Sequence, residues 1–336
     1  MNKRHSWLRR VIFAAAATAP FLLPMPVAAQ APLKPLVVFA QPLPLWDSVW
    51  VADAKGYYKD EGLDVQFRMF PSGTTSLQTF RAGEGEINFG GDLPGVQYWL
   101  NNDKDYRVVA VLERDSKGYL VTARNDIKAP QDLKGKTVAT RVGSTGSWFI
   151  SEYLARNGLS ADDVKITNLD TQVMPTALCH GDISAFFIFQ PFGQRAIEIC
   201  PNDVHNLSTA EGYIRGYAVA AARPGWLADP ENQDKLARFL RATKRGAEDA
   251  AADLAGVQKI MAERFGLSEE ATRSQWDINE RVVGIDDTFY ADYCSLAAWM
   301  KQEGLLTTPL DFAEFVDGRA LAAVDPGRFD QPPAAC

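Results

Sequence analysis

The residues best suited to chemistry in this 336-residue chain lie in the run Arg141-Val142-Gly143-Ser144-Thr145-Gly146-Ser147-Trp148, which follows a strand-like segment and opens a helical one. Glycine and small hydroxyl residues at such a junction leave the first N–H groups of the helix uncovered, and those groups attract an anion. Ser144, Thr145 and Ser147 add hydroxyl donors, and Arg141 offers a charge partner. The same residues serve equally well as an ordinary N-cap, worth about 1 kcal/mol to the helix. From this stretch alone the two roles are evenly balanced. A P-loop would need a lysine after Gly146-Ser147, and a nucleophile elbow a serine midway between suitably spaced glycines; neither is present.

Two more junctions share the design. Pro71-Ser72-Gly73-Thr74-Thr75 again places a glycine turn and hydroxyl residues between strand and helix, and Gly90-Gly91-Asp92-Leu93-Pro94 makes a third case. Ligands of open α/β sheets sit beyond the carboxyl ends of the strands, where such junctions gather, so three of them suggest a cleft between lobes. Asp92 would bond a donor group on a ligand or merely cap the following helix. Trp46 and Trp50, four residues apart, share a helix face and suit a core; Trp46, next to the junction after the first strand, is the better placed to line a pocket. Acid–base pairs are poorly represented. Asp162-Asp163 and Asp286-Asp287 read as caps and turns, and His180-Gly181 as a helix end. The scattered histidines and the lack of a CxxC motif give no metal site, and no cofactor or catalytic residue is expected.

The elements that must position these residues follow an α/β cadence. Strands are expected at Leu36–Ala40, Asp64–Met69, Ile87–Phe89, Val108–Leu112 and Tyr119–Ala123, with helices at about Asp47–Glu61 and Thr75–Ala82. That alternation predicts a mostly parallel sheet. A second lobe is expected from about Asn125, with strands at Thr137–Thr140, Val164–Asn168 and Ala185–Phe189 and a helix at about Ser147–Asn157. From Trp226 onward the pattern is mainly helical, coating a lobe rather than building a sheet.

Composition and the first thirty residues bound the setting. Lys3, Arg4, Arg9 and Arg10 precede an apolar run from Val11 to Leu23, and Val27-Ala28-Ala29 offers small residues for cleavage. Residues 1–29 therefore read as a cleaved signal peptide, too short and too proline-broken for a membrane span, and the mature chain is expected in the periplasm. Losing those four basic residues takes the formal charge from −7 to −11. No basic block remains to follow a phosphate backbone, so nucleic acid is an unsuitable partner. The four cysteines admit three pairings in an oxidising compartment. Cys179–Cys200 is favoured because it closes a local loop, leaving Cys294 and Cys336 to tie down the tail; free buried thiols are the alternative.

Taken in order, several segments resemble the nitrate/sulfonate/taurine and thiamine-pyrimidine-precursor solute-binding proteins of ABC importers. They are the run from Ala52 to Val65, Ser72-Gly73, Ala82 to Ile87, Gly91 to Pro94, Asp132 to Lys136, Gly143-Ser144 and Gln190-Pro191. The resemblance covers most of residues 35 to 225. It implies a two-lobed, type II periplasmic-binding-protein fold, with lobe 1 at 33–123 plus 221–336 and lobe 2 at 124–220. It also implies a monomer that captures a small anionic organic solute, sulfonate-like, by hinge closure and delivers it to an ABC permease, without enzymatic turnover. A ligand-binding sensor, or a binder of a pyrimidine or aromatic carboxylate, is the alternative. Gly91, Asp92, Ser144, Thr145, Ser147 and Gln190 would face the cleft by motif position. Arg215 stands where taurine-type members carry an acid, which argues against an amino-sulfonate and leaves Arg215 as a candidate contact. The cysteine-rich motif of the pyrimidine-synthase relatives is absent.

Overall fold

The computed structural model describes residues 32–333 and 335–336. The expected signal peptide and its cleavage position lie outside the described residues. The first sheet takes β1 (Lys34–Ala40), β2 (Leu63–Met69), β3 (Ile87–Gly90) and β4 (Arg107–Asp115). The second takes β5 (Tyr119–Arg124), β6 (Thr137–Thr140), β7 (Lys165–Asn168), β8 (Ala185–Phe189) and β9 (Val204–Thr209). The chain then returns to the first with β10 (Gly216–Ala222) and β11 (Glu280–Gly284). The strand orders are β11-β4-β10-β3-β1-β2 and β7-β6-β8-β5-β9.

Both sheets are mixed, which corrects the expectation of a mostly parallel one. β1 runs parallel to β2 and β3, and β6 parallel to β7 and β8. β10 is antiparallel to β3 and β4, β11 to β4, and β5 to β8 and β9. The cause is the insertion: β4 leads out of the first sheet and β10 leads back, so the two neighbours must oppose. The strands change sheet at residues 116–118 and 210–215, ahead of the lobe boundaries at 123/124 and 220/221 that the resemblance implies. Only the turn Ser116-Lys117-Gly118 separates β4 from β5.

The helices are α1 (Asp47–Ala54), α2 (Tyr57–Asp60), α3 (Gly73–Arg81), α4 (Asp92–Asn101), α5 (Thr145–Arg156), α6 (Met174–His180) and α7 (Phe192–Ile199). They continue with α8 (Pro224–Leu227), α9 (Pro230–Ala252), α10 (Leu254–Phe265), α11 (Glu269–Trp276) and α12 (Asp287–Gln302). The single helix expected over Asp47–Glu61 is two, because Gly56 adopts φ +76° and ends the first.

Packing is closest where α9 crosses α1. A Cβ on Gly246 would stand 2.1 Å from the Ser48 carbonyl oxygen, so only glycine permits the approach. Beside it Tyr58 stacks on Phe239 with centroids 5.0 Å apart and shares a 3.0 Å hydrogen bond with Thr243. Every residue of β10 is buried, as a central strand covered on both faces requires. Beneath α1 lies a charged cluster. Arg281 of β11, a strand the helical reading of the C-terminal part missed, pairs with buried Asp47, and Ser48 donates to buried Glu113. Burial, and then the Asp47 charge, push Glu113 well above the usual carboxylate range. Cys179 pairs with Cys200 and Cys294 with Cys336, at Cα separations of 5.9 and 5.4 Å. No helix among the described residues is long and apolar enough to cross a membrane.

Candidate functional site

The site forms where three helices begin. Each follows a strand end: α3 after β2, α4 after β3, and α5 after β6 in the second sheet. Ser72 caps α3 in a capping box with Thr75, Gly91 opens α4 without a side-chain cap, and Ser144 caps α5 by accepting from the Gly146 N–H at 3.2 Å. Helix dipoles place positive potential at all three starts.

Two adjoining hollows occupy the space between the sheets. The larger is walled by Gln41, Leu43, Trp46, Tyr119, Phe189 and Tyr217, with Gly73, Gly90 and Gly91 at the helix starts. The smaller shares Gly73, Gly91, Tyr119 and Phe189 and adds Ser72, Thr74, Arg141, Ser144 and Thr145. Arg141 is the one cation lining either hollow among the described residues, and its guanidinium is 2.8 Å from the exposed Asp170. Asp115 also lines the larger hollow. Burial raises its carboxyl to about 6 against hydrogen bonds from the Gly118 N–H and from Gln275. Glycine suits position 91 because a Cβ there would come within 3.2 Å of the Thr145 hydroxyl.

The structure sorts the residues singled out from sequence. Trp46, Gly91, Arg141, Ser144 and Thr145 line the two hollows. Trp46 is 2% exposed, stacks on Phe89 at 4.7 Å, and its indole N–H has no partner among the described residues. Asp92 lies beneath the lining: its Oδ1 accepts from Thr145 Oγ1 and, at 2.7 Å, from the Leu93 N–H. Ser147 turns to a separate groove with Ile150 and Leu154 and accepts from the Gly143 N–H at 3.0 Å. Gln190 does not face either hollow; its Oε1 accepts from the Gln194 N–H at 3.4 Å, and neighbouring Phe189 takes the lining position. Arg215 is held 2.8 Å from Asp292 in another hollow, with Trp148, Glu152 and Arg156.

Sequence reasoning missed Gln41, Tyr119, Phe189, Tyr217 and Asp115 as lining residues. None sits in a glycine- or hydroxyl-rich junction. For Tyr119, Phe189 and Tyr217 the available signal was the aromatic content of strand ends, which a core would share.

Two mixed sheets, helix starts converging between them and two strand crossovers define a two-lobed α/β protein of the periplasmic-binding type. Residues 47–254, more than half of the chain, match the family described as NMT1/THI5 like, and the chain belongs to that family. It is similar to a putative binding protein of Brucella abortus (strain 2308), 30% identical over 143 residues, which is 42% of this chain and 43% of that protein. The chain thus spans less than half the length of that relative. The taurine-binding periplasmic protein of Escherichia coli (strain K12) is 23% identical over 58% of each chain. Among solved structures, the alkanesulfonate-binding protein of Xanthomonas axonopodis pv. citri bound to MOPS has a TM-score of 0.70 at 17% identity. That match covers 83% of this chain and 96% of the other, a likeness of fold.

Proposed function

We propose that this chain is the periplasmic solute-binding component of an ABC importer, and that it carries a small organic anion without chemical turnover. The observation that carries this reading is the meeting of three helix starts, from two different sheets, on one cleft. An anionic head, sulfonate-like as in the named relatives, would lie against the first turns of α3 and α5 with Arg141 beside it. The apolar body would lie between Trp46, Tyr119, Phe189 and Tyr217. The lobes, about 33–115 plus 216–336 and 119–209, would hinge at the two crossovers, and the closed form would dock on the membrane permease.

A second reading rests on the walls themselves. Four aromatic side chains with Asp115 among them suit a ring-bearing ligand with a hydrogen-bond donor, such as a pyrimidine, or an aromatic carboxylate. Calorimetry of the mature protein against alkanesulfonates, taurine, nitrate, aromatic carboxylates and pyrimidines separates the two. Single-site binding of one class is expected. No binding across the panel, with turnover of any member, would remove the proposal.

A further inference from the structure

We propose that Asp92 and Thr145 form a latch between the lobes and that closing it takes up a proton. Asp92 stands on the first turn of α4 and Thr145 is the first residue of α5, so their hydrogen bond joins an element of the first sheet to one of the second. Both residues are 1% exposed. The lobes also touch at the rims, where Ser268 donates to Glu198 at 2.7 Å and Trp148 and Trp299 stand 6.4 Å apart. The latch lies inside these contacts and directly under the cleft lining. Gly91 leaves room for the Thr145 hydroxyl to seat on the acid.

Closure is unkind to the Asp92 charge. Its Oδ1 has the Thr145 hydroxyl and the Leu93 N–H, but its buried Oδ2 has no partner among the described residues. Burial is the leading influence and raises the carboxyl to about 6, against lowering contributions from Thr145 and the backbone of Leu93 and Tyr217. The titratable groups that feel Asp92 are the phenols of Tyr106, Tyr119 and Tyr293, each pushed up by burial and so uncharged. Asp115 is the second acid of the neighbourhood, acting on the same Tyr119. Among the described residues, no lysine, arginine or histidine is one of the leading influences on its charge.

The direction follows from linkage. When the lobes part, water reaches Asp92 and its carboxyl returns toward the ordinary value of 3.8. The closed form therefore holds the proton more tightly. Its advantage is complete below about pH 4 and is lost as pH rises through 6. Between pH 7 and pH 5 the closed-to-open ratio rises on the order of tenfold.

The latch rests on the two-lobe reading of the cleft but not on the ligand, so the test uses ligand-stripped mature protein. Small-angle X-ray scattering between pH 4.5 and 8 would follow the radius of gyration of the wild type, Asp92→Asn, Thr145→Val, Thr145→Ser and Asp115→Asn, each first shown folded by near-ultraviolet circular dichroism. The wild type should compact as pH falls, with Asp115→Asn and Thr145→Ser following it. Asp92→Asn should stay compact at every pH, and Thr145→Val should be more expanded at pH 7. A wild type that does not respond to pH overturns the proposal. So does an Asp92→Asn variant that keeps the wild-type response, a response lost with Asp115→Asn instead, or a Thr145→Val variant no more open than wild type. Failure of the calorimetric panel would bear on the ligand reading alone.

Discussion

Arg281 grips Asp47 at two points, Nε to Oδ1 at 3.0 Å and Nη2 to Oδ2 at 2.5 Å, with the acid wholly buried. Asp47 follows Trp46, so this pair fixes the chain just behind a wall of the cleft. Arg281→Met should lower the unfolding free energy by about 3–5 kcal/mol, because it leaves the buried Asp47 without its cation. Urea denaturation reads the loss. Adding Asp47→Asn should recover part of it, since the two sites share one interaction.

Arg141 and Arg215 make a discriminating pair. For an anionic ligand, Arg141→Gln should weaken binding roughly ten- to hundredfold, the scale of about 1.5–3 kcal/mol for a hydrogen bond to a charged group. Arg215→Gln should leave affinity within twofold, because its guanidinium is held by Asp292 outside the cleft. Titration calorimetry of both variants with the same ligand checks this; a larger loss for Arg215 would contradict the placement.

Stability should rise as pH falls from about 7 to 5. Asp115 is raised to about 6 in the folded chain by burial, from an ordinary 3.8, and so binds its proton more tightly when folded. Its contribution is fully present below about 4 and lost as pH rises through 6, on the order of 2–3 kcal/mol in all. Asp115→Asn should reduce that slope, to which Asp92 also contributes, in chemical denaturation at pH 5, 6, 7 and 8. A slope unchanged by the substitution would rule the carboxyl out as its source.

Cys179–Cys200 spans 21 residues and ties the end of α6 to the residue after α7. Replacing both cysteines by alanine should destabilise the chain by about 3 kcal/mol on the loop-entropy scale. Thermal melts with and without reductant measure it. The double variant should be insensitive to reduction at this bridge while still responding at Cys294–Cys336.

What was legible in sequence was local. The starts of α3, α4 and α5 announced themselves because glycine and hydroxyl residues after a strand have few other uses, and the favoured cysteine pairing needed only loop length. What was not legible depended on direction. Gln190 and Phe189 are adjacent, and alternation along an extended segment sends their side chains opposite ways; which faces the cleft is decided by the packing of β8, not by residue type. Arg215 looked free until the fold brought Asp292, 77 residues later, against it. β11 is five residues long and holds its place through an arginine whose acid lies 234 residues earlier. Tyr119 and Tyr217 meet at the cleft because the two crossovers run side by side, which no window of sequence displays.

The position of β10 between β3 and β4 sets an order of assembly. The centre of the first sheet cannot be completed until Gly216–Ala222 has emerged, because β3 and β4 do not pair with each other and need that strand to join them. The second sheet draws only on Tyr119–Thr209, a continuous stretch finished earlier. The lobe that begins and ends the described chain therefore carries the longer-range strand pairing of the two, the kind that forms slowly.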